Sequence, residues 1–136
     1  MKMKIPVIIF CGGKGTRMKE ETEFRPKPMV TIGGKPILWH IMKIYSHFGF
    51  NNFIIALGYK GDQIKSYFLN QEYLQDDFTL NTKTNEKKLH NRYIDKRDSF
   101  SITFVDTGEE TATGDRLLMV KKYIKGNDFM VTYGDG

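Results

Sequence analysis

The sequence predicts an α/β fold, a mostly parallel sheet flanked by helices. Three observations lead there. Short apolar runs recur at positions 5–10, 53–57 and 129–132, each too brief for a helix, and 101–105 reads as a further strand. Stretches with helical spacing lie between some of them. The order strand, helix, strand, helix then calls for crossover connections, and hence for parallel strands.

Taken in order, the run 5–10 reads as a strand buried on both faces, with Pro6 tolerable only near its start. Between Cys11 and Lys35 stand Gly12, Gly13, Gly15, Gly33, Gly34, Pro26 and Pro28. That punctuation leaves room for a long functional loop, with at most a helical turn and a short strand near 29–32. Pro36 sits where helices begin, and Ile37, Leu38, Ile41, Ile44, Tyr45 and Phe48 recur at helical spacing before Gly49, a natural C-terminal cap. After the strand 53–57 come Gly58-Tyr59-Lys60-Gly61 and a helix from Asp62 with Ile64, Tyr67 and Phe68 on one side.

Periodicity is lost over 81–98, a polar segment with Lys83, Lys87, Lys88, Arg92, Lys96 and Arg97. It reads as a solvated excursion or hairpin within the domain. The strand 101–105 follows, then a glycine- and threonine-rich turn over 106–114, a helix bearing Leu117, Leu118, Val120 and Ile124, and the strand 129–132. Ending one residue set past a strand, at Tyr133-Gly134-Asp135-Gly136, predicts that residues 1–136 are the N-terminal part of a longer domain.

The 136 residues, 40% hydrophobic, suffice for one globular core. The net charge of +5 is interspersed with Asp and Glu, which argues against a nucleic-acid arm and for small anionic ligands. One cysteine, Cys11, cannot form an intramolecular disulfide, and His40, His47 and His90 lack metal-ligand spacing. The basic start is followed by too short an apolar run for a signal or membrane span. A soluble, cytoplasmic protein is expected.

The chemistry begins after the first strand, at Phe10-Cys11-Gly12-Gly13-Lys14-Gly15-Thr16-Arg17. Glycines there let the backbone wrap a ligand and aim N–H groups at phosphate oxygens or a base edge. Neither the Walker A spacing nor the dinucleotide fingerprint is present. Such a loop alone could also be a plain connector. Ten residues beyond Arg17 stands Lys27 between Pro26 and Pro28, which limit its freedom and aim its ammonium. A lone Arg, Lys or Asp is ordinarily a solvated surface charge; the joint pattern lifts Arg17, Lys27 and Asp135 above that.

Gly-Gly-x-Gly-Thr-Arg followed by Pro-Lys-Pro resembles the nucleoside-diphosphate-sugar pyrophosphorylases, the sugar-phosphate nucleotidyltransferase family. The resemblance covers essentially the whole chain. Pro26 to Val30, Ile32 to Lys43, Gly58 to Gly61, Val105 to Gly108 and Tyr133 to Gly136 are similar to the glucose-1-phosphate cytidylyltransferase branch of it. Two departures stand out: Cys11 where the family more often has Ala, and Asp115 where its Thr-Gly-Gly-Arg has a second glycine.

The resemblance implies a Rossmann-like nucleotidyltransferase fold and transfer of a cytidylyl group from CTP to glucose 1-phosphate, giving CDP-glucose for dideoxysugars of surface polysaccharides such as O-antigen. It implies nucleotide contacts from residues 10–17 and from Lys27, Thr111 and Arg116. Arg17 and Lys27 are the expected catalytic pair, Arg17 on the triphosphate and leaving pyrophosphate, Lys27 on the α-phosphate. Asp135 is the expected magnesium ligand, with a second aspartate from the C-terminal half of the family's domain. A homo-oligomer is implied, and no nucleic acid or membrane partner. The alternatives left open are a nucleotide-binding module without turnover, and a transferase using dTTP or UTP.

Overall fold

The computed structural model describes residues 5–12, 25–90 and 98–135. Four strands form one parallel sheet: β1 (Val7–Cys11), β4 (Asn52–Leu57), β7 (Ser101–Asp106) and β8 (Met130–Tyr133), in the order β7-β4-β1-β8. The register pairs Val7 with Phe53 and with Met130, and Asn52 with Ser101. The expected strands are present, with every bound within two residues of the one read from the sequence.

Because side chains alternate across a strand, the two central strands feed two cores. Val7, Ile9, Cys11, Phe53, Ile55 and Leu57 point to one face, where Leu38, Met42 and Ile64 cover them. Ile8, Phe10, Ile54 and Ala56 point to the other, against Val105 and Val120. Every residue of β1 is buried, as a strand with both faces covered requires. Each large aliphatic side chain so buried contributes about 1.5–3 kcal/mol relative to exposure.

The first core is closed by α1 (Ile37–His47) and α2 (Gly61–Gln75). Pro36 precedes the first turn of α1, and Gly49 just beyond its end takes φ +91°, the left-handed conformation that terminates helices. The second core is closed by α3 (Thr113–Val120), which begins inside the segment read from sequence as a turn. Val120 and Leu117 pack inward, whereas Leu118 is 67% exposed and faces away. Leu117 and Val120, three residues apart, share the helix face that meets the sheet, and Leu118 is turned about 100° from Leu117.

The expected strand near 29–32 is part of a small hairpin. A 3-10 turn (Lys27–Met29) leads into β2 (Thr31–Ile32), which pairs antiparallel with β3 (Lys35–Pro36). Gly33 and Gly34 make the two-residue link at φ +60° and +82°, and two-residue hairpins favour positive φ at both positions. A second hairpin, β5 (Phe78–Asn81) with β6 (Glu86–Leu89), exposed almost throughout, begins three residues before the polar segment and takes up its first part. Lys83, Lys87 and Lys88 lie on it, while Arg92, Lys96 and Arg97 fall outside the described residues.

Candidate functional site

From β1 the chain adds β4 and then β7 to one side of the sheet, but β8 to the other. The direction of winding therefore reverses between β1 and β8. In open α/β sheets the crevice beyond the carboxyl ends of the strands at such a reversal is where ligands bind. Gly12 follows β1 at this end, and Gly134 and Asp135 follow β8. The Gly134 N–H donates to the Phe10 carbonyl at 2.9 Å, which holds the two strand ends together. The Phe10 and Tyr133 rings meet beside it in a tilted contact, centroids 5.7 Å apart and planes at 40°.

The Pro26-Lys27-Pro28 segment packs against the same place. Pro28 is buried, and a Cβ on Gly134 would lie 3.3 Å from its Cγ and inside the Cys11 sulfur. Gly134 is thus required by close packing. The 3-10 turn presents Lys27 so that its Nζ stands 3.6 Å from the Asp135 Oδ2, with the lysine side chain 18% exposed and the aspartate 44%. An ammonium and a carboxylate meet at the crevice, where a triphosphate and its cation would need both signs of charge.

A second cluster gathers around Arg116, which α3 directs back over the sheet and which is only 5% exposed. Its Nε donates to the Thr111 carbonyl at 2.9 Å, one Nη to the Thr107 hydroxyl at 2.7 Å and the Leu57 carbonyl at 3.5 Å, the other to the Glu109 carbonyl at 3.1 Å and the Gly12 carbonyl at 3.5 Å. A guanidinium has five N–H groups, so five bonds match its donors, with those to Leu57 and Gly12 long and weak. Thr107 is itself buried; its hydroxyl donates to the Leu57 carbonyl at 2.7 Å, as does its N–H at 2.8 Å. The Thr111 hydroxyl donates to the Thr107 carbonyl. Gly12 and Gly58 line the guanidinium: a Cβ on Gly12 would fall within it, and one on Gly58 would lie 2.7 Å from its Nη1.

The structure thus brings together Phe10, Cys11, Gly12, Lys27, Thr111, Arg116 and Asp135 at one end of the sheet. Gly13, Lys14, Gly15, Thr16 and Arg17 lie outside the described residues. Burial, with the Asp135 charge adding to it, pushes the Cys11 thiol far up, so it stays protonated and inert, as packing rather than nucleophilic chemistry requires. Among the described residues no three His, Cys, Asp or Glu side chains converge as a ready metal cluster. Asp135 offers one carboxylate, which suits magnesium, a cation commonly held by one or two carboxylates with phosphate oxygens and water.

Gly58 and Thr107 entered the sequence reading only within segments that carry the family resemblance, and neither was given a site role. Their signal was positional: each comes directly after the last residue of a parallel strand, β4 or β7, at the ligand-binding end.

No described helix is long and apolar enough to cross a membrane. The chain is 50% identical over 129 residues to a probable glucose-1-phosphate cytidylyltransferase of Bacillus subtilis, covering 95% of this chain and 49% of that protein. It is 48% identical over 130 residues to the glucose-1-phosphate cytidylyltransferase of Salmonella typhimurium, with the same coverage. The chain spans about half the length of the curated relatives it matches. The crystal structure of HddC from Yersinia pseudotuberculosis, complexed with GMP-PN, superposes with a TM-score of 0.70 at 29% identity, over 96% of this chain and 48% of that one. UTP-bound UGPase from Acinetobacter baumannii shares the fold with a TM-score of 0.71 at 20% identity. A glycine loop opening at a winding reversal, on a Rossmann-like parallel sheet, agrees with the match of residues 7–83 to the MobA-like NTP transferase domain, the family to which this chain belongs.

Proposed function

We propose that the full-length protein is a glucose-1-phosphate cytidylyltransferase, joining CTP and glucose 1-phosphate to give CDP-glucose and pyrophosphate. The observation that carries this reading is the identity of 50% and 48% to two relatives bearing that name, spread over 95% of the chain. Relatives called bifunctional protein GlmU match at 36% or below. A role in supplying dideoxysugars for surface polysaccharide such as O-antigen, a cytoplasmic location and a homo-oligomeric state belong to the same proposal.

In this reaction a phosphate oxygen of the sugar phosphate attacks the α-phosphorus of CTP, a new P–O bond forms, and the bond to the bridging β-phosphate oxygen breaks. Pyrophosphate carries away the released negative charge. Such chemistry needs positioned substrates and neutralised phosphate charge, with no covalent enzyme intermediate. Lys27 would hold the α-phosphate as charge builds there. Arg17 would hold the triphosphate and the leaving pyrophosphate, and residues 10–17 with Thr111 and Arg116 would surround the nucleotide. Magnesium, when bound, supplies further neutralisation of the triphosphate, and Asp135 is the residue that would hold it.

The deciding experiment offers the full-length protein CTP, dTTP, UTP and GTP with glucose 1-phosphate and measures pyrophosphate release. Fastest release with CTP supports the assignment; a clear preference for dTTP or UTP would keep the family and discard the cytidylyl reading. Triphosphate binding without sugar-dependent release would favour a nucleotide-binding module without turnover.

A further inference from the structure

Thr107 is a buried polar residue at the end of β7, and its hydroxyl has one proton and two lone pairs. The proton goes to the Leu57 carbonyl at 2.7 Å, and an Arg116 Nη1 donates to the oxygen at 2.7 Å. The direction of the hydroxyl is therefore set by β4, and the hydroxyl in turn sets the guanidinium. Without it, Nη1 would retain the Leu57 carbonyl at 3.5 Å, too long for a good hydrogen bond. On its other side the guanidinium lies against Gly12 so closely that no Cβ fits. Three chain segments meet at this point: the end of β1, the end of β4 and the turn after β7.

We propose that Thr107 is a positioning residue for nucleotide binding, acting through Arg116 to hold Gly12 in register with the β4 and β7 ends. The proposal rests on the reading of this crevice as the CTP site. Thr107 touches no substrate; its effect passes through one hydrogen bond to the arginine and must vanish when that arginine is gone.

The test uses the full-length protein and CTP titrated calorimetrically. Thr107→Val keeps the side-chain volume and removes the hydroxyl, and should weaken CTP binding about tenfold, the usual scale for one well-formed buried hydrogen bond. Thr107→Ser keeps the hydroxyl and should bind within about threefold of the parent. In an Arg116→Met background, Thr107→Val should change CTP affinity by less than about twofold, because the cycle closes only if the effect runs through the arginine. A merely structural threonine would lower stability in both backgrounds and leave the affinities additive. Unchanged CTP affinity in Thr107→Val, or the same loss with and without Arg116, overturns the proposal while the CTP site stands. A parent protein that binds no CTP overturns both. Should Thr107→Val not fold, the parent's Arg116 side-chain N–H signals decide: slow exchange with solvent supports a fixed guanidinium, and fast averaged exchange rejects it.

Discussion

The Lys27 ammonium stands 3.6 Å from the Asp135 carboxylate, across the crevice between the ends of β1 and β8. The contact joins residues from distant parts of the chain, one preceding β2 and one following β8. Each thereby neutralises a charge that a triphosphate and its cation would otherwise neutralise. Both side chains keep some solvent access, so the pair itself contributes little stability, and its substitution reports on function. In the full-length protein Lys27→Ala should cut turnover about a hundredfold or more with the fold retained, as losses of one oriented charge donor do. Pyrophosphate release measured beside a thermal melt checks both halves; an unchanged rate removes Lys27 from the mechanism.

Arg17 should behave differently, because the proposed contact is to the ground-state triphosphate. Arg17→Ala should weaken CTP affinity as well as turnover. Isothermal titration showing the parent's affinity would remove it from the nucleotide site.

At Gly134 the absence of a side chain is a packing requirement, since a Cβ would run into the Cys11 sulfur. Gly134→Ala should destabilise the fold by about 1–3 kcal/mol, the usual cost of overpacking. Cys11→Ala in the same protein should recover much of that loss, because it clears the atom in the way. Urea unfolding of the two single variants and the double variant tests this, and strict additivity would count against the contact.

Asp98 ties the segment before β7 to α1, accepting hydrogen bonds from Trp39 Nε1 and Lys43 Nζ, each at 2.8 Å. Partial burial raises its carboxyl, but the hydrogen bonds from Lys43 and Trp39, with the charges of Lys43 and Lys35, outweigh that and hold it below the usual range. A depressed folded value means the stabilisation is present above the unfolded value of about 3.9 and is lost as pH falls through the folded one. The pair is partly exposed, so Asp98→Asn should cost about 0.5–1 kcal/mol at pH 7. The gap should close at lower pH, once the parent's carboxylate is protonated too. A gap that widens on acidification would reverse the assigned sign.

Cys11 gives a reactivity prediction with its own sign. With the thiol raised by burial and by Asp135, Cys11 in the folded protein should resist a thiol reagent at pH 8, and unfolding should make it reactive. Rapid labelling of the folded state would show that the strand end opens.

Much of this could be read from sequence because it depends on neighbours along the chain. The apolar run of β1, short, rich in β-branched residues and closed by glycines, reads as a strand covered on both faces, and Pro36 and Gly49 bracket α1 by their backbone preferences alone. The glycines after β1 and the lysine between two prolines are likewise local patterns, and only together do they point to a phosphate-handling family. What the sequence could not supply is which strand lies beside which. The order β7-β4-β1-β8 decides that Gly12 and Asp135 share a crevice, and that Lys27 reaches the aspartate. It also decides that Arg116, expected to face a nucleotide, has its five donors bonded to Gly12, Leu57, Thr107, Glu109 and Thr111. The same holds for Leu118, apolar yet exposed, and for Gly58 and Thr107, which meet the Arg116 guanidinium together with Gly12 and the Leu57 carbonyl. Local pattern fixes backbone state and burial preference, whereas hydrogen bonds between segments far apart in the chain exist only once the sheet has set their distances.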